Sequence, residues 1–234
     1  MSLAKSKWAL RGWLGCADSS VSGLLCIEGM KRQKAKGPRP IHAAAARNEM
    51  SSKTHVVAAA VELVNEGGLD ALTLAALAKR LGVKPPSLYK HVPALIDLRR
   101  QVATSATQAL LAHLQAAVVG KSGREALEAV LVAFRSFART RPGLYQATVE
   151  TPVGTELEHV AARDAMIELI GVILRSCGGR RKDTLHVVRV LRAAVHGFVS
   201  LELSGGFGRP LDVDESFARL TQMLCDSAMS PGAE

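Results

Sequence analysis

Hydrophobic residues recur at the three-to-four spacing of buried helical faces from residue 51 onward. In the first such stretch Val57, Val61 and Val64 keep this spacing, and Gly67-Gly68 follows. Glycine readily takes the left-handed conformation that ends many helices, so a first helix should stop at this pair. Alanine and leucine outnumber the β-branched and aromatic residues, and no segment has a clear strand pattern. These patterns predict an all-α fold.

Two shorter helices are predicted next. Thr73 is a favourable N-cap, and Gly82 follows the last hydrophobic position of the second helix. That helix carries its hydrophobic residues at i, i+3, i+4 and i+7, namely Leu74, Leu77, Ala78 and Leu81. Pro85 and Pro86 then suit the first turn of a third helix, where an N–H group is not needed.

Two short helices joined by a glycine-containing turn form a helix-turn-helix, whose second helix lies in the major groove of DNA. Leu88 and Val92 are four residues apart and can face the core. The polar neighbours then point outward and suit phosphates or base edges, and they are Lys84, Ser87, Tyr89, Lys90 and His91. The alternative is an ordinary helical hairpin with solvated charges, an interaction or ligand-binding module without sequence-specific DNA binding.

The run TLAALAKRLGVKPPSLYKHV, preceded by NEGGLDALT, closely resembles the DNA-binding domain of the TetR family of bacterial transcriptional regulators. The resemblance covers Ser51 to Ala103. It implies a homodimer that binds a palindromic operator on double-stranded DNA, represses transcription and is released by a small-molecule effector.

Carried over by position, the resemblance also assigns roles to residues of the DNA-binding site. It implies that Thr73 and His91 meet phosphates and that Tyr89 meets a phosphate and a thymine methyl group. The groove contacts would come from Lys84, Pro86, Ser87 and Lys90. One departure is Leu95, which stands where the family often has a phosphate-binding lysine, and Arg99 and Arg100 are the candidates to replace it.

The rest of the chain has the pattern of a helical domain for effector binding and dimerisation. Helices are predicted over Ala94–Val118, Arg124–Thr140, Thr155–Ser176, Arg181–Ser204 and Asp214–Ala228. The helical pattern is interrupted at 141–143. The run LRAAVHGFVSLELSGG resembles the C-terminal domain of one branch of the TetR family. We therefore expect a DNA-binding domain over 51–97 and a helical domain over 98–229.

A stripe of small residues marks a candidate dimer interface. Ala193, Gly197, Ser200 and Ser204 share one helical face, which lets another helix approach closely. The family resemblance implies that the last two helices pair with their mates in a four-helix bundle, to which Leu220 would contribute. The alternative is that the stripe packs on a helix of the same chain. His196, nearby, is expected to be a hydrogen-bonded core or interface residue.

Apolar residues of the C-terminal helices are candidates for an effector pocket. The set is Phe134, Phe137, Met166, Ile170 and Ile173, and pockets between bundled helices commonly hold small ligands. The same side chains could instead fill a core. We expect a hydrophobic or weakly polar effector, with Arg189 or Arg192 meeting an anionic group.

Charge is distributed unevenly along the 234 residues. The net excess of +9 lies entirely in the first hundred residues, whereas residues 101–234 hold fourteen basic and fourteen acidic side chains. Such asymmetry is expected when one end meets a polyanion. Within residues 1–50 the stretch KRQKAKGPRP predicts disorder. Either this segment is a basic arm that adds DNA affinity, or natural translation begins at Met50, which the abrupt change of pattern favours.

The sequence lacks the motifs that are typical of several other classes of protein. The scattered cysteines Cys16, Cys26, Cys177 and Cys225 indicate neither a metal site nor a disulfide framework, and they fit a reducing cytoplasm. There is no phosphate-binding glycine loop, nucleophile elbow or zinc-protease motif, so no catalytic residue and no cofactor are expected. The apolar stretch near residue 8 is interrupted by charges, so we expect neither export nor a membrane partner.

Overall fold

The computed structural model describes residues 53–149, 157–178 and 184–229. Within these ranges the chain forms α-helices joined by turns, with no strand, and the predicted all-α class is confirmed. The basic segment 1–50, and with it the expected disorder, lies outside the described residues. In the same ranges no helix is both long enough and apolar enough to cross a membrane.

The helices follow one another along the chain as the sequence pattern predicts, with one addition. They are α1 (Lys53–Gly67), α2 (Leu74–Leu81), α3 (Pro85–Leu88), α4 (Leu95–Ala117), α5 (Gly123–Thr140), α6 (Pro142–Val149), α7 (Leu157–Ser176), α8 (Thr184–Leu203) and α9 (Val213–Met229). A single 3-10 turn, Leu69–Ala71, separates α1 from α2. The predicted starts of α7 and α8, at Thr155 and Arg181, fall outside the described residues.

Helix α6 is the addition, because the predicted break is present at Arg141 but no helix was predicted directly after it. Arg141 is non-helical, with φ −138° and ψ 60°, so the chain does turn at this point. Pro142 then begins a new helix, since proline is well suited to a first helical position. Gly143 is buried against α1, where a side chain would overlap the carbonyl oxygen of Val64. The glycine therefore permits a close helix contact.

Helix α4 runs through the centre of the described structure. It packs against α5, α6 and α7 on one side and against α1 near its beginning. Its buried residues include Leu98, Val102, Leu110 and Leu114. Helix α6 also packs against both α1 and α5. Helices α4 and α6 together therefore join the N-terminal helices to the C-terminal ones.

A buried arginine joins three helices at the other end of the domain. Arg135 of α5 is 7% exposed, and its guanidinium donates to Glu202 of α8 at 2.6 and 2.8 Å and to Asp214 of α9 at 2.7 Å. The rings of Phe198 and Phe217 lie 5.6 and 4.6 Å from it. The carboxylates raise the pKa of Arg135, so the group stays charged.

Candidate nucleic-acid interface and ligand cavity

The turn between α2 and α3 is fixed by local backbone chemistry. Thr73 caps α2, since its Oγ1 accepts from the Ala76 N–H at 3.1 Å. At the other end Gly82 is left-handed, with φ 64°, a conformation that costs glycine little. Lys84 is extended and occupies the N-cap position of α3 without a side-chain capping hydrogen bond. The predicted helix-turn-helix is therefore present, and its first helix and the start of its second helix lie at the expected residues.

The third helix is shorter than predicted. It ends at Leu88, and Tyr89, Lys90 and His91 continue in a turn in which the His91 N–H donates to the Leu88 carbonyl at 2.9 Å. Tyr89 keeps helical angles, with φ −61° and ψ −20°. Pro93 limits any further extension, because the residue before a proline, here Val92, is disfavoured in the helical region.

One face of this hairpin is buried and the other is open. Leu88 and Val92 lie in the core, as predicted. The predicted contact residues Thr73, Lys84, Pro86, Ser87, Tyr89 and Lys90 are exposed, and His91 is half-buried. Tyr89 exposes 55% of its surface although it is a large aromatic residue. Thr73 lies at the far end of α2 from the turn, about 12 Å along the helix.

Near the turn, one cationic side chain forms ion pairs within the part of the chain that the structure describes, whereas two lysines do not. Arg80 of α2 bonds to Glu62 at 3.0 Å and to Glu66 at 2.6 Å, which ties α2 to α1 and raises the pKa of Arg80. No carboxylate among the described residues pairs with Lys84 or Lys90. The two lysines are therefore exposed cations at the turn that no ion pair in this part of the structure neutralises.

The position of Leu95 matters because the related pattern has a lysine there. Leu95 is half-buried and packs against the core at the start of α4. Arg100 is half-buried and pairs with Asp97 at 3.2 Å. Arg99 is also half-buried, and no ion pair to it appears among the described residues. Of the two arginines named as replacements for the lysine, Arg99 is thus the one that forms no ion pair in this part of the structure.

A cavity of about 210 Å³ lies among α4, α5, α6, α7 and α8. Five of the seven residues named as effector-binding candidates line it: Phe134, Met166, Ile170, Arg189 and Arg192. Of the other two, Phe137 lies in the core, 1% exposed, with its ring centroid 5.8 Å from that of His113. Ile173 is likewise a core residue. For these two side chains the structure shows the alternative, a position in the core, because both are buried and neither lines the cavity.

Sequence reasoning missed three polar residues of the cavity wall, of which Thr107 lies on α4. Thr148 belongs to α6, the helix that was not predicted, and Arg163 lies on α7. Proline at position 142 was the signal for α6. No local pattern distinguishes Arg163 from an ordinary surface arginine.

Beside the cavity, a buried tyrosine joins α6 to α8. Tyr145 is 4% exposed, and its hydroxyl lies 2.6 Å from Nδ1 of His196, the hydrogen-bonded histidine that was expected. Burial raises the pKa of Tyr145 to about 12, against a smaller opposing effect of the Arg192 charge. Its ring meets Phe134 edge-on, with centroids 5.6 Å apart.

A larger groove of about 960 Å³ lies between α5 and α9. Its cations are already engaged: Arg124 pairs with Glu128 at 2.7 Å, and Arg139 pairs with Asp214 at 3.2 Å. This groove is open and internally neutralised, so it offers less to a small ligand than the cavity does. In the described ranges no group of three or more metal-binding side chains comes together.

An exposed helix-turn-helix carried on an all-helical body that encloses a cavity defines a DNA-binding regulatory protein. Comparison with known proteins gives the same class. Residues 56–92 match the model of bacterial regulatory proteins of the tetR family, and residues 127–224 match a tetracyclin repressor-like C-terminal domain.

One relative is an uncharacterized HTH-type transcriptional regulator of Mycobacterium tuberculosis, 32% identical over 76% of this chain and 82% of the relative. The chain therefore belongs to the TetR family and is a transcription regulator rather than an enzyme.

Two solved structures share the fold. A protein of unknown function from Rhodococcus sp. RHA1 aligns with a TM-score of 0.64 and 24% identity over 75% of this chain and 94% of that one. A TetR variant of Acinetobacter baumannii AYE, solved in complex with minocycline, aligns with a TM-score of 0.57 and 23% identity over 75% and 95% of the two chains.

Proposed function

We propose that this regulator is a repressor that binds a palindromic operator as a homodimer and leaves it when a small molecule binds. The observation that carries the proposal is that two exposed lysines of the helix-turn-helix, Lys84 and Lys90, have no carboxylate partner among the described residues. In this proposal residues 51–97 bind DNA and residues 98–229 bind the effector and dimerise. The protein acts in the cytoplasm, where bacterial DNA is found.

The DNA contacts divide into phosphate contacts and base contacts. Thr73 begins α2, and helix N-termini favour anions because their N–H groups point outward. Tyr89 and His91 suit the backbone, whereas Lys84, Pro86, Ser87 and Lys90 enter the groove. Lysine can donate to the guanine edge, and serine to either kind of base pair. Only these groove residues should set sequence preference.

Exposure on α8 supports the homodimer. Ala193, Gly197, Ser200 and Ser204 are all exposed in the single chain, and a side chain built on Gly197 would meet nothing within 4 Å. The stripe therefore does not pack on another described helix of the same chain. Two subunits related by a twofold axis can bring this face of α8 together, because each subunit contributes the same surface.

Apolar side chains flank the stripe. Val190 and Leu201 on α8 expose 60% and 50% of their surface, and Met223 on α9 exposes 68%. Contiguous exposed apolar surface commonly marks an interaction site. Leu220, the interface residue predicted on α9, is instead half-buried against the core of its own chain. We therefore assign the central apolar contact on α9 to Met223.

Helix α6 offers a path from the cavity to the DNA-binding region. Thr148 near its end lines the cavity, while Gly143 at its start is packed against Val64 of α1. A ligand that displaces α6 would therefore move α1. Binding of minocycline to a protein of this fold supports the assignment of the cavity to an effector. Thermodynamic linkage requires that the effector and the operator weaken each other by the same factor.

Selection of bound sequences from random double-stranded DNA tests the proposal. We expect an enriched palindrome whose half-sites lie on one face of the duplex, as twofold symmetry requires. No enrichment, with weak binding to all sequences, would instead identify a helical interaction module.

The dimer is tested separately by analytical ultracentrifugation of Gly197→Leu. We expect monomers of normal helical content, while Ala116→Leu, at an exposed site of α4, remains dimeric. A dimeric Gly197→Leu protein would contradict the interface.

A further inference from the structure

We propose that the effector is an amphipathic anion, with an acidic head and a short apolar body. The inference rests on the proposed function, because it assigns the chemistry of the molecule that releases the operator. The carrying observation is a cavity that combines an apolar interior with three arginines and, among the described residues, no acidic side chain.

The interior is almost entirely hydrocarbon. Its eleven apolar lining residues include Leu110, Phe134, Met166, Ile170, Leu185 and Leu191. Burial of a methylene group in such surroundings contributes about 0.8 kcal/mol, so an alkyl or aryl body supplies affinity without directional contacts. Thr107 and Thr148 are the uncharged polar exceptions.

Positive charge is concentrated in the same wall. Arg163 on α7 is half-buried, and Arg189 and Arg192, three residues apart on α8, line the cavity from its exposed side. None of the three forms an ion pair within the described part of the chain, in contrast to the arginines of the α5–α9 groove. An arginine guanidinium binds carboxylate or phosphate through two parallel hydrogen bonds.

Tyr145 does not neutralise this charge. Its hydroxyl is near enough to Arg192 to feel its field, but burial raises the pKa of Tyr145 to about 12. The phenol is therefore uncharged at neutral pH. An anionic ligand head would be the countercharge of these arginines.

The size of the cavity limits the apolar body. Its volume of about 210 Å³ is below the range of about 300–1,000 Å³ typical of pockets for drug-sized ligands. We therefore expect a medium-length chain or a single ring. A carboxylate and a phosphate monoester share the required head chemistry.

Four probes that share an octyl chain and differ only in the head group test the proposal on the full chain without DNA. They are nonanoate, octyl phosphate, octan-1-ol and octylamine, with binding measured by isothermal titration calorimetry. We expect one of the two anions to bind at least tenfold more tightly than octan-1-ol, and octylamine to bind more weakly than the alcohol. The anion that binds more tightly identifies the head. Equal affinities, a preference for the amine, or no binding by any probe would overturn the proposal.

Variants locate the head group. Arg192→Gln should weaken binding of the preferred anion about tenfold and leave octan-1-ol unchanged, and Arg192→Lys should retain part of the effect because it keeps the charge. Arg175→Gln is the matched control, since Arg175 lies on α7 outside the cavity and pairs with Glu168. An anion affinity that is unchanged in Arg192→Gln, Arg189→Gln and Arg163→Gln would also overturn the assignment.

Operator binding separates this inference from the proposed function. Without probe, the wild-type protein should bind the selected operator, and the preferred anion should release it. A protein that binds no operator refutes the proposed function, whatever the head-group preference. A protein that binds its operator but prefers octan-1-ol or octylamine refutes only the chemistry proposed here.

Discussion

The hydroxyl of Tyr145 and Nδ1 of His196 lie 2.6 Å apart and join α6 to α8. Tyr145 is buried and His196 half-buried, so neither polar group can exchange this partner freely for water. The bond holds the cavity-lining helix α8 to the helix whose start contacts α1. It is therefore both a structural contact and part of the path proposed for induction.

Removal of the tyrosine hydroxyl should destabilise the fold. We expect Tyr145→Phe to lower the free energy of unfolding by about 1–2 kcal/mol, because the histidine loses its buried partner while the ring packing is kept. Urea denaturation at neutral pH measures the change. Tyr89→Phe is the control and should be neutral, since Tyr89 is 55% exposed. Equal stability of the wild-type and Tyr145→Phe proteins would mean that the bond contributes nothing net.

Stability should also depend on alkaline pH through the same tyrosine. The folded-state pKa of about 12 exceeds the ordinary value of 10.0, so the fold favours the protonated phenol. The stabilisation that comes from the protonated phenol is fully present below pH 10, the ordinary pKa. It is lost as the pH rises through about 12, the folded-state pKa. The stability difference between wild type and Tyr145→Phe should therefore shrink over this interval. A difference that stays constant would contradict the assignment.

The buried Arg135 should be far more important for stability than an exposed arginine. We expect Arg135→Met to cost about 3–5 kcal/mol, because it leaves the largely buried Glu202 with only the longer, 3.7 Å contact to the exposed Arg139. Arg219→Met is the matched control: that side chain is 74% exposed and pairs with Glu215 one turn away, so a change below about 1 kcal/mol is expected. Thermal unfolding distinguishes the two, and similar losses in both variants would argue against a special role for Arg135.

Capping and phosphate binding by Thr73 can be separated by choice of substituent. Thr73→Ala should lose about 1 kcal/mol of stability through the cap and should also weaken DNA binding. Thr73→Asp keeps a good cap but places a negative charge near the proposed phosphate, so stability should hold while operator affinity falls. Denaturation and operator titration on the same preparations provide both measurements. Normal operator affinity of the Asp variant would remove Thr73 from the phosphate contacts.

Local signals explain why the helix-turn-helix was predictable. The Thr73 cap, the Gly82 turn and the Pro85 start each act within a few residues, so the sequence specifies their bounds. Helix α6 was missed because Pro142-Gly143 was interpreted only as a break, although proline also begins helices. Glycine at 143 is required by a contact with Val64, which no local pattern reveals.

Long-range contacts account for the other differences. Arg135 pairs with residues 67 and 79 positions further along the chain, so its burial could not be read from its own helix. Likewise Phe134 and Phe137 both follow the apolar face of α5, yet only Phe134 reaches the cavity. Periodicity identifies the buried face of a helix but not which neighbour each side chain meets.

The central claim is that the lysines of the helix-turn-helix recognise an operator. Fluorescence anisotropy with the selected operator and a scrambled duplex, repeated at several salt concentrations, tests it most directly. Wild type should prefer the operator, Lys90→Ala should lose about 1–3 kcal/mol of that preference if it reads a base edge, and affinity should fall linearly in log–log form with salt. Lys121→Ala, at an exposed site beyond the far end of α4, should match wild type. Equal binding of operator and scrambled duplex by the wild-type protein, or an operator preference unchanged in both Lys84→Ala and Lys90→Ala, would contradict the account.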